Sequence, residues 1–260
     1  MDGPQGSRET PTIQVPEVPA MDVSERVIGG RTVRVSACGT DGAPTVYASM
    51  YEDVGDRVLE GCRGLGCPPF NLVSVSGLDW DSDLSPWQCG PVVSGDDDFA
   101  GRAGEYLGLL EGEVVPFAEG VVGTGGARII AGYSMAGLFA LYVPHVSRMF
   151  SGSVSASGSL WFPGFADFVR GTPFMRRPDA IYLSIGDRES RTRNPYLRTT
   201  EDLTRGLYDH YRAEGIDSVF ELNPGNHFRD ADMRLAKGIS WAVPRCGGTP
   251  VIYWDEDDRT

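Results

Sequence analysis

From residue 44 onward, short runs of β-branched and apolar residues alternate with longer stretches whose apolar residues recur at helical spacing. "PTVYASMY" (44–51), "FNLVSVSGL" (70–78), "ARIIAGYS" (127–134), "GSVSASGSLWF" (152–162), "DAIYLSIG" (179–186) and "SVFELNPG" (218–225) have the composition of strands. Between them, "DVGDRVLEGCRGL", "AGEYLGLLEGEVVPFAEGV", "MAGLFALYVPHV", "EDLTRGLYDHYRAEG" and "ADMRLAKGISWAV" have the spacing of helices, with Pro116 late in the second and Gly215 closing the fourth. Two parallel strands cannot be joined by a tight turn and need a crossover, usually a helix. Strands that read as continuous apolar runs are covered on both faces. The pattern therefore predicts an α/β fold, a mostly parallel central sheet with helices on both faces. Ahead of it, "RVIGGRTVRVS" (26–36) predicts a hairpin turning at Gly29 and Gly30. With no internal repeat or linker, residues 26–250 read as one domain, 1–25 as an arm and 251–260, with its "DEDD" run, as a solvated acidic tail.

The chain has 260 residues, 41% of them hydrophobic, enough for one large core. A net charge of −13 repels phosphate backbones and argues against nucleic-acid binding. No run approaches the roughly 18 uncharged apolar residues of a membrane helix. The first twenty residues lack a basic segment followed by an apolar one, which points to a cytoplasmic protein. Five cysteines, an odd number, argue against a fully paired disulfide framework and for free thiols in a reducing compartment. "CRGLGC" has no histidine or second cysteine pair beside it, so neither a metal nor another cofactor is expected. A homo-oligomer is left open.

"IIAGYSMAGLFALY" places Ser134 between an apolar strand and a helix, with Gly132 two before it and Ala136 two after. Serine there is a favoured helix cap. It also fits the G-x-S-x-G nucleophile elbow with Ala136 in the last position, a turn too tight for large neighbours. The helix N-terminus would offer unpaired N–H groups, Met135 first, to an oxyanion. A serine nucleophile needs a base. Of the three histidines, His145 sits in or just past the same helix and His210 lies mid-helix among charges. His227 follows a strand and a Pro-Gly turn, on the kind of loop where sheets of this class carry catalytic groups. "IYLSIGDRESRTRN" then supplies an orienting carboxylate after another strand, with Glu189 favoured and Asp187 close behind. The alternative is that both only pair with neighbouring arginines. The chain order serine, acid, histidine is that of the α/β-hydrolase arrangement.

Over about residues 40–245 the sequence resembles the esterases of the α/β-hydrolase fold that include esterase D and the enterobactin (siderophore trilactone) esterases. The likeness rests on "YASMYED", "LVSVSGLDWDSDLSPW", "EYLGLLEGEVVPF", "IIAGYSMAGLFALY", "SASGSLWFPGF", "IYLSIGDRESRTRNP" and "NPGNHF". It implies a metal-free carboxylic ester hydrolase acting on a small-molecule ester, with Ser134 matching the nucleophile and His227 the base. The acid varies within the siderophore-esterase branch, and some members look like Ser–His dyads. Many relatives carry a His-Gly pair after the first core strand, where this chain has Met50, Tyr51 and Glu52. The Tyr51 N–H is then the candidate second oxyanion donor.

Trp80, Trp87 and Trp161 fall in loops after strands, so their rings either line a substrate pocket or pack under those loops. Arg188, with Arg191, Arg193 and Arg229, flanks the acid and base. These guanidiniums either hold an anionic substrate or balance nearby carboxylates. The classes left standing are a serine esterase, a non-catalytic hydrolase-fold binding protein, suggested by Ala136 and the altered oxyanion loop, and an acyltransferase using the same residues.

Overall fold

The computed structural model describes residues 21–247, apart from 93, 94 and 96. The chain opens with a hairpin of β1 (Asp22–Ile28) and β2 (Arg31–Ala37). Gly29 and Gly30 have φ of 55° and 79°, the pair of positive values that a two-residue type I′ turn demands. β1 thus begins inside the stretch read as an arm, while residues 1–20 and the acidic tail lie outside the described residues.

The core strands are β3 (Thr45–Ser49) and β4 (Asn71–Ser76), followed after the short β5 (Gln88–Cys89) and β6 (Phe99–Ala100) by four more. These are β7 (Arg128–Tyr133), β8 (Gly152–Ala156), β9 (Ala180–Gly186) and β10 (Asp217–Asn223). The large sheet runs β1-β2-β4-β3-β7-β8-β9-β10. The hairpin is antiparallel to its neighbours, and every pairing from β4 to β10 is parallel. All residues of β3, β8 and β9 are buried, as a sheet covered on both faces requires.

The helices are α1 (Gly55–Gly64), α2 (Trp80–Asp83), α3 (Ala103–Leu109), α4 (Val115–Val122), α5 (Met135–Val146), α6 (Phe165–Gly171), α7 (Thr200–Ala213) and α8 (Ala231–Ala242). Side chains of α1 and α8 pack on one face of the sheet against Val46, Ala48, Ile129 and Val154. Residues of α3 to α7 pack on the other, against Tyr47, Val73, Ile130 and Ile181. Adjacent residues such as Val46 and Tyr47 serve opposite cores because side chains alternate along a strand.

The stretch 103–121, read as one helix, contains a π-helical turn at Leu110–Val114. Pro116 explains it. Proline brings no N–H to the helix, and its ring crowds the carbonyl four residues back, so the turn before it widens. No helix among the described residues is long and apolar enough to cross a membrane.

Because β3, β4 and β7 to β10 run the same way, their carboxyl ends open onto one rim. The loops bearing Tyr51, Trp80, Ser134, Trp161, Glu189 and His227 all leave from it. Packing of α8 under that rim depends on Gly238, where a Cβ would stand 2.4 Å from Val154 Cγ1 and 2.7 Å from Tyr182 Cδ1. Gly238→Ala should therefore destabilise the fold by about 1–3 kcal/mol through overpacking, despite a helix-propensity gain of about 1 kcal/mol. Gly104→Ala on α3, where a Cβ meets nothing within 4 Å, should instead hold or raise the melting temperature. Thermal unfolding of the two variants checks the pair.

Candidate active site

Ser134 joins β7 to α5 with φ 60° and ψ −123°, a backbone that L-residues rarely adopt. The turn is that sharp because three segments converge. A Cβ at Gly132 would lie 2.3 Å from the Ala136 carbonyl carbon, and one at Gly137 would lie 2.9 Å from Gly158 Cα. Ser134 does not cap its helix by side chain. Its carbonyl accepts the N–H of Gly137 and Leu138 at 2.9 and 3.0 Å, which leaves its hydroxyl facing the rim. There Oγ meets His227 Nε2 at 3.0 Å and Ser159 Oγ at 3.3 Å.

His227 arrives on the loop after β10, which turns at Gly225 (φ 107°). Its Nδ1 lies 2.7 Å from Glu189 Oε2. A carboxylate only accepts, so Nδ1 carries the hydrogen of the neutral ring and Nε2 presents a lone pair to the Ser134 hydroxyl. The backbone of His227 is held as well, its carbonyl accepting from Tyr133 OH at 2.6 Å. Burial raises the Tyr133 phenol's pKa and keeps it a donor.

Of the two acids considered, Glu189 is the one at the imidazole. Its Oε1 accepts from the Gly186 N–H and from Arg234 Nη1, both at 2.7 Å. Burial alone would push this carboxyl up, but the His227 contact, its charge and the Gly186 N–H outweigh it and hold the pKa below the ordinary range. Asp187 turns elsewhere, accepting the Gly225 N–H at 2.7 Å and so pinning the loop that carries His227.

Arg234 has no counterpart in the residues singled out from sequence. It projects from α8, 2% exposed. Nη1 reaches Glu189, Ser157 Oγ at 2.9 Å and Tyr133 OH at 3.3 Å, while Nη2 donates to the carbonyls of Pro224 at 3.2 Å and Asn226 at 2.9 Å. The available signal was a charged residue on the apolar stripe of the last helix, one turn before Gly238.

Two clefts flank Ser134. The larger, about 400 Å³, is bounded by Tyr51, Trp80, Tyr133, His227 and Phe228. The smaller, about 180 Å³, is bounded by Trp80, Phe99, Met135, Ser159 and Trp161. Trp80 and Trp161 therefore border these clefts, Trp80 both of them, and Tyr51, 73% exposed, meets Trp80 edge to face at 5.4 Å. Trp87 does not. Its indole donates to the Pro163 carbonyl at 3.1 Å and packs on Phe162 and Phe168, a half-buried ring whose N–H finds a partner. Arg188 also bounds neither cleft; it is exposed, with Asp187 at 4.0 Å. Met135 opens α5, and the first N–H groups of a helix have no intrahelical partner. His145 is buried in α5, bonded through Nδ1 to the Thr172 carbonyl and stacked on Phe174.

No family model matches the sequence. The uncharacterized protein YbbA of Bacillus subtilis is 21% identical over 183 residues, 67% of this chain and 73% of that protein. The fold is that of an IroE-like serine hydrolase from Shewanella oneidensis, with a TM-score of 0.73 and 19% identity over 85% of this chain and 80% of that one. The siderophore hydrolase EstB of Aspergillus nidulans matches with a TM-score of 0.65 and 18% identity, covering 89% and 99% of the two chains. The enterobactin esterase FES of Shigella flexneri gives 0.63 and 19% over 87% of this chain and 60% of that one. The chain has the α/β-hydrolase fold in the form these proteins share.

Removing the buried guanidinium would leave Glu189 interior without its cation. Arg234→Met is accordingly expected to cost about 3 kcal/mol in denaturant unfolding. Folding lowers the Glu189 pKa, so this carboxylate stabilises the protein above its ordinary value of 4.5 and stops doing so as pH falls through the lower folded value. The stability difference between wild type and Glu189→Gln should shrink as pH drops from about 6 to about 3, as read by urea unfolding at each pH.

Proposed function

We propose that the protein is a serine carboxylic ester hydrolase acting on small-molecule esters through an acyl-enzyme on Ser134. One observation carries this reading: an unbroken line from Glu189 Oε2 to His227 Nδ1 at 2.7 Å and from His227 Nε2 to Ser134 Oγ at 3.0 Å. The hydroxyl at its end makes no capping hydrogen bond to the helix and sits on a backbone with φ of 60°. Backbone strain of about 1–3 kcal/mol persists where surrounding structure over-determines it, and it gathers at functional sites.

In this mechanism Ser134 Oγ attacks the ester carbonyl carbon while its proton passes to His227 Nε2. Glu189 stays ionised and stabilises the imidazolium through Nδ1–H. The carbonyl oxygen, now an oxyanion, takes the Met135 N–H at the positive end of α5 and, as second donor, the backbone N–H of Tyr51. Collapse breaks the bond to the alcohol oxygen, which leaves with the proton from Nε2. Water then attacks the acyl-enzyme, giving its proton to Nε2, and Ser134 departs as Oγ–H when Nε2 returns it. A catalytic triad of Ser134, His227 and Glu189 is thus part of the proposal, with Asp187 and Arg234 as positioning residues. A reducing, cytoplasmic setting belongs to the same reading, supported by the odd cysteine count and the burial of Cys62 and Cys246.

A fluorophosphonate probe should label the wild type and not Ser134→Ala, because only an activated serine reacts. With p-nitrophenyl butyrate, Ser134→Ala and His227→Ala should each lower kcat by about 10³-fold or more, and Glu189→Gln by about 10²- to 10⁴-fold. A wild type that neither labels nor outpaces Ser134→Ala would be a hydrolase-fold binding protein instead.

A further inference from the structure

The charge and shape of the two clefts bear on which ester fits, given the serine-esterase reading above. His227 must hand its proton to the leaving oxygen, so the alcohol half of the substrate lies on the His227 side. That side is the larger cleft. The acyl half falls in the smaller one, beside Met135. Four aromatic side chains, Tyr51, Trp80, Tyr133 and Phe228, bound the alcohol cleft, and two carboxylates, Glu52 and Asp232, stand on its border. Among the described residues no lysine or arginine bounds either cleft, and the smaller adds Asp81 and Asp97.

Each nearby arginine is already paired with a carboxylate, in one case with Asp232 on the cleft border itself. Arg57 Nε meets Asp232 at 3.4 Å from outside the cleft, Arg229 Nε meets Asp230 at 3.2 Å, and Arg234 is enclosed around Glu189. An anionic substrate would thus meet Glu52 and the Arg57-paired Asp232, with no lysine or arginine lining the cleft to receive it, on a chain whose net charge is already −13. Aromatic faces attract cations through their quadrupole, and rim carboxylates add to that attraction. We propose that the alcohol half of the substrate carries an ammonium group, seated among Tyr51, Trp80, Tyr133 and Phe228 beside Glu52 and Asp232.

Three butyrate esters of similar size test this: butyrylcholine, its uncharged isostere 3,3-dimethylbutyl butyrate, and the anionic 3-sulfopropyl butyrate. Each kcat/KM is divided by the ester's rate of alkaline hydrolysis to remove leaving-group differences. The choline ester should exceed the neutral one by about fivefold and the anionic one by about 50-fold at low salt, with both gaps narrowing near 1 M salt. Glu52→Gln with Asp232→Asn should reduce the choline-to-neutral ratio toward one. A corrected ratio at or below one in the wild type overturns the proposal, as does a ratio that ignores both salt and the double variant. So does failure to turn over butyrylcholine while the fluorophosphonate still labels Ser134, and in that case the esterase reading stands. Loss of labelling removes both.

Discussion

The geometry of the site rests on one buried cation. A guanidinium removed from water is costly unless its donors find partners, and the two terminal nitrogens of Arg234 find five. Those partners belong to four segments: the end of β7, the loop after β8, the loop after β9 and the loop after β10. Arg234 itself rises from α8, so one side chain locks four segments of the rim to a helix beneath the sheet. Glu189 gains from this an orientation that aims one oxygen at the guanidinium and the other at the imidazole. Tyr133 completes the frame, accepting from Arg234 and donating to the His227 backbone, so ring and main chain of the histidine are held independently. Side chains fixed in this way lose little freedom when a substrate arrives, which is where pre-organised sites gain their rate.

Steric closeness does for the serine what charge does for the histidine. β7, α5 and the loop after β8 approach so tightly that a Cβ at Gly158 would fall 2.3 Å from Ser155 Oγ. Alanine at 136 fits this crowd for a specific reason. Its methyl lies 2.5 Å from where a Gly132 Cβ would be, so the turn has room for one methyl and Gly132 leaves it vacant. The departure from G-x-S-x-G therefore asks nothing of the backbone beyond what the first glycine already provides.

The parts of this design that follow local rules were legible in the chain. Strand and helix runs gave the layers because burial on two faces and amphipathic spacing leave different periods. Ser134, Glu189 and His227 stood out because each follows a strand, and parallel strands bring their carboxyl ends to one rim. What escaped depends on approach through space. Arg234 carries only a weak local sign, a charge on the apolar stripe of the last helix, and the fold alone reveals which four segments it meets. The same holds for Tyr133, whose hydroxyl reaches a residue 94 positions away. Trp87 and Arg188 were read by nearness in sequence to loops of interest, yet one turns under α6 and the other into solvent. Pro116 marked a disturbance of its helix without saying that a π turn would absorb it.

The distribution of charge separates recognition from chemistry. Guanidiniums beside the acid and base invite the thought of an anion receptor, but Arg188 and Arg229 face the adjacent acids Asp187 and Asp230, and Arg234 is consumed by Glu189. The mouth of the site is left to carboxylates, of which Asp232 is paired with Arg57. On the proposed mechanism an oxyanion must nevertheless form a few ångströms away, and like charge on the rim opposes it. Distance and dielectric resolve the conflict. Rim carboxylates act through water, where their field is screened, whereas the Met135 N–H and the amino end of α5 would act at contact in a low-dielectric pocket. The outer charge can thus sort substrates by sign without raising the barrier of the step that follows.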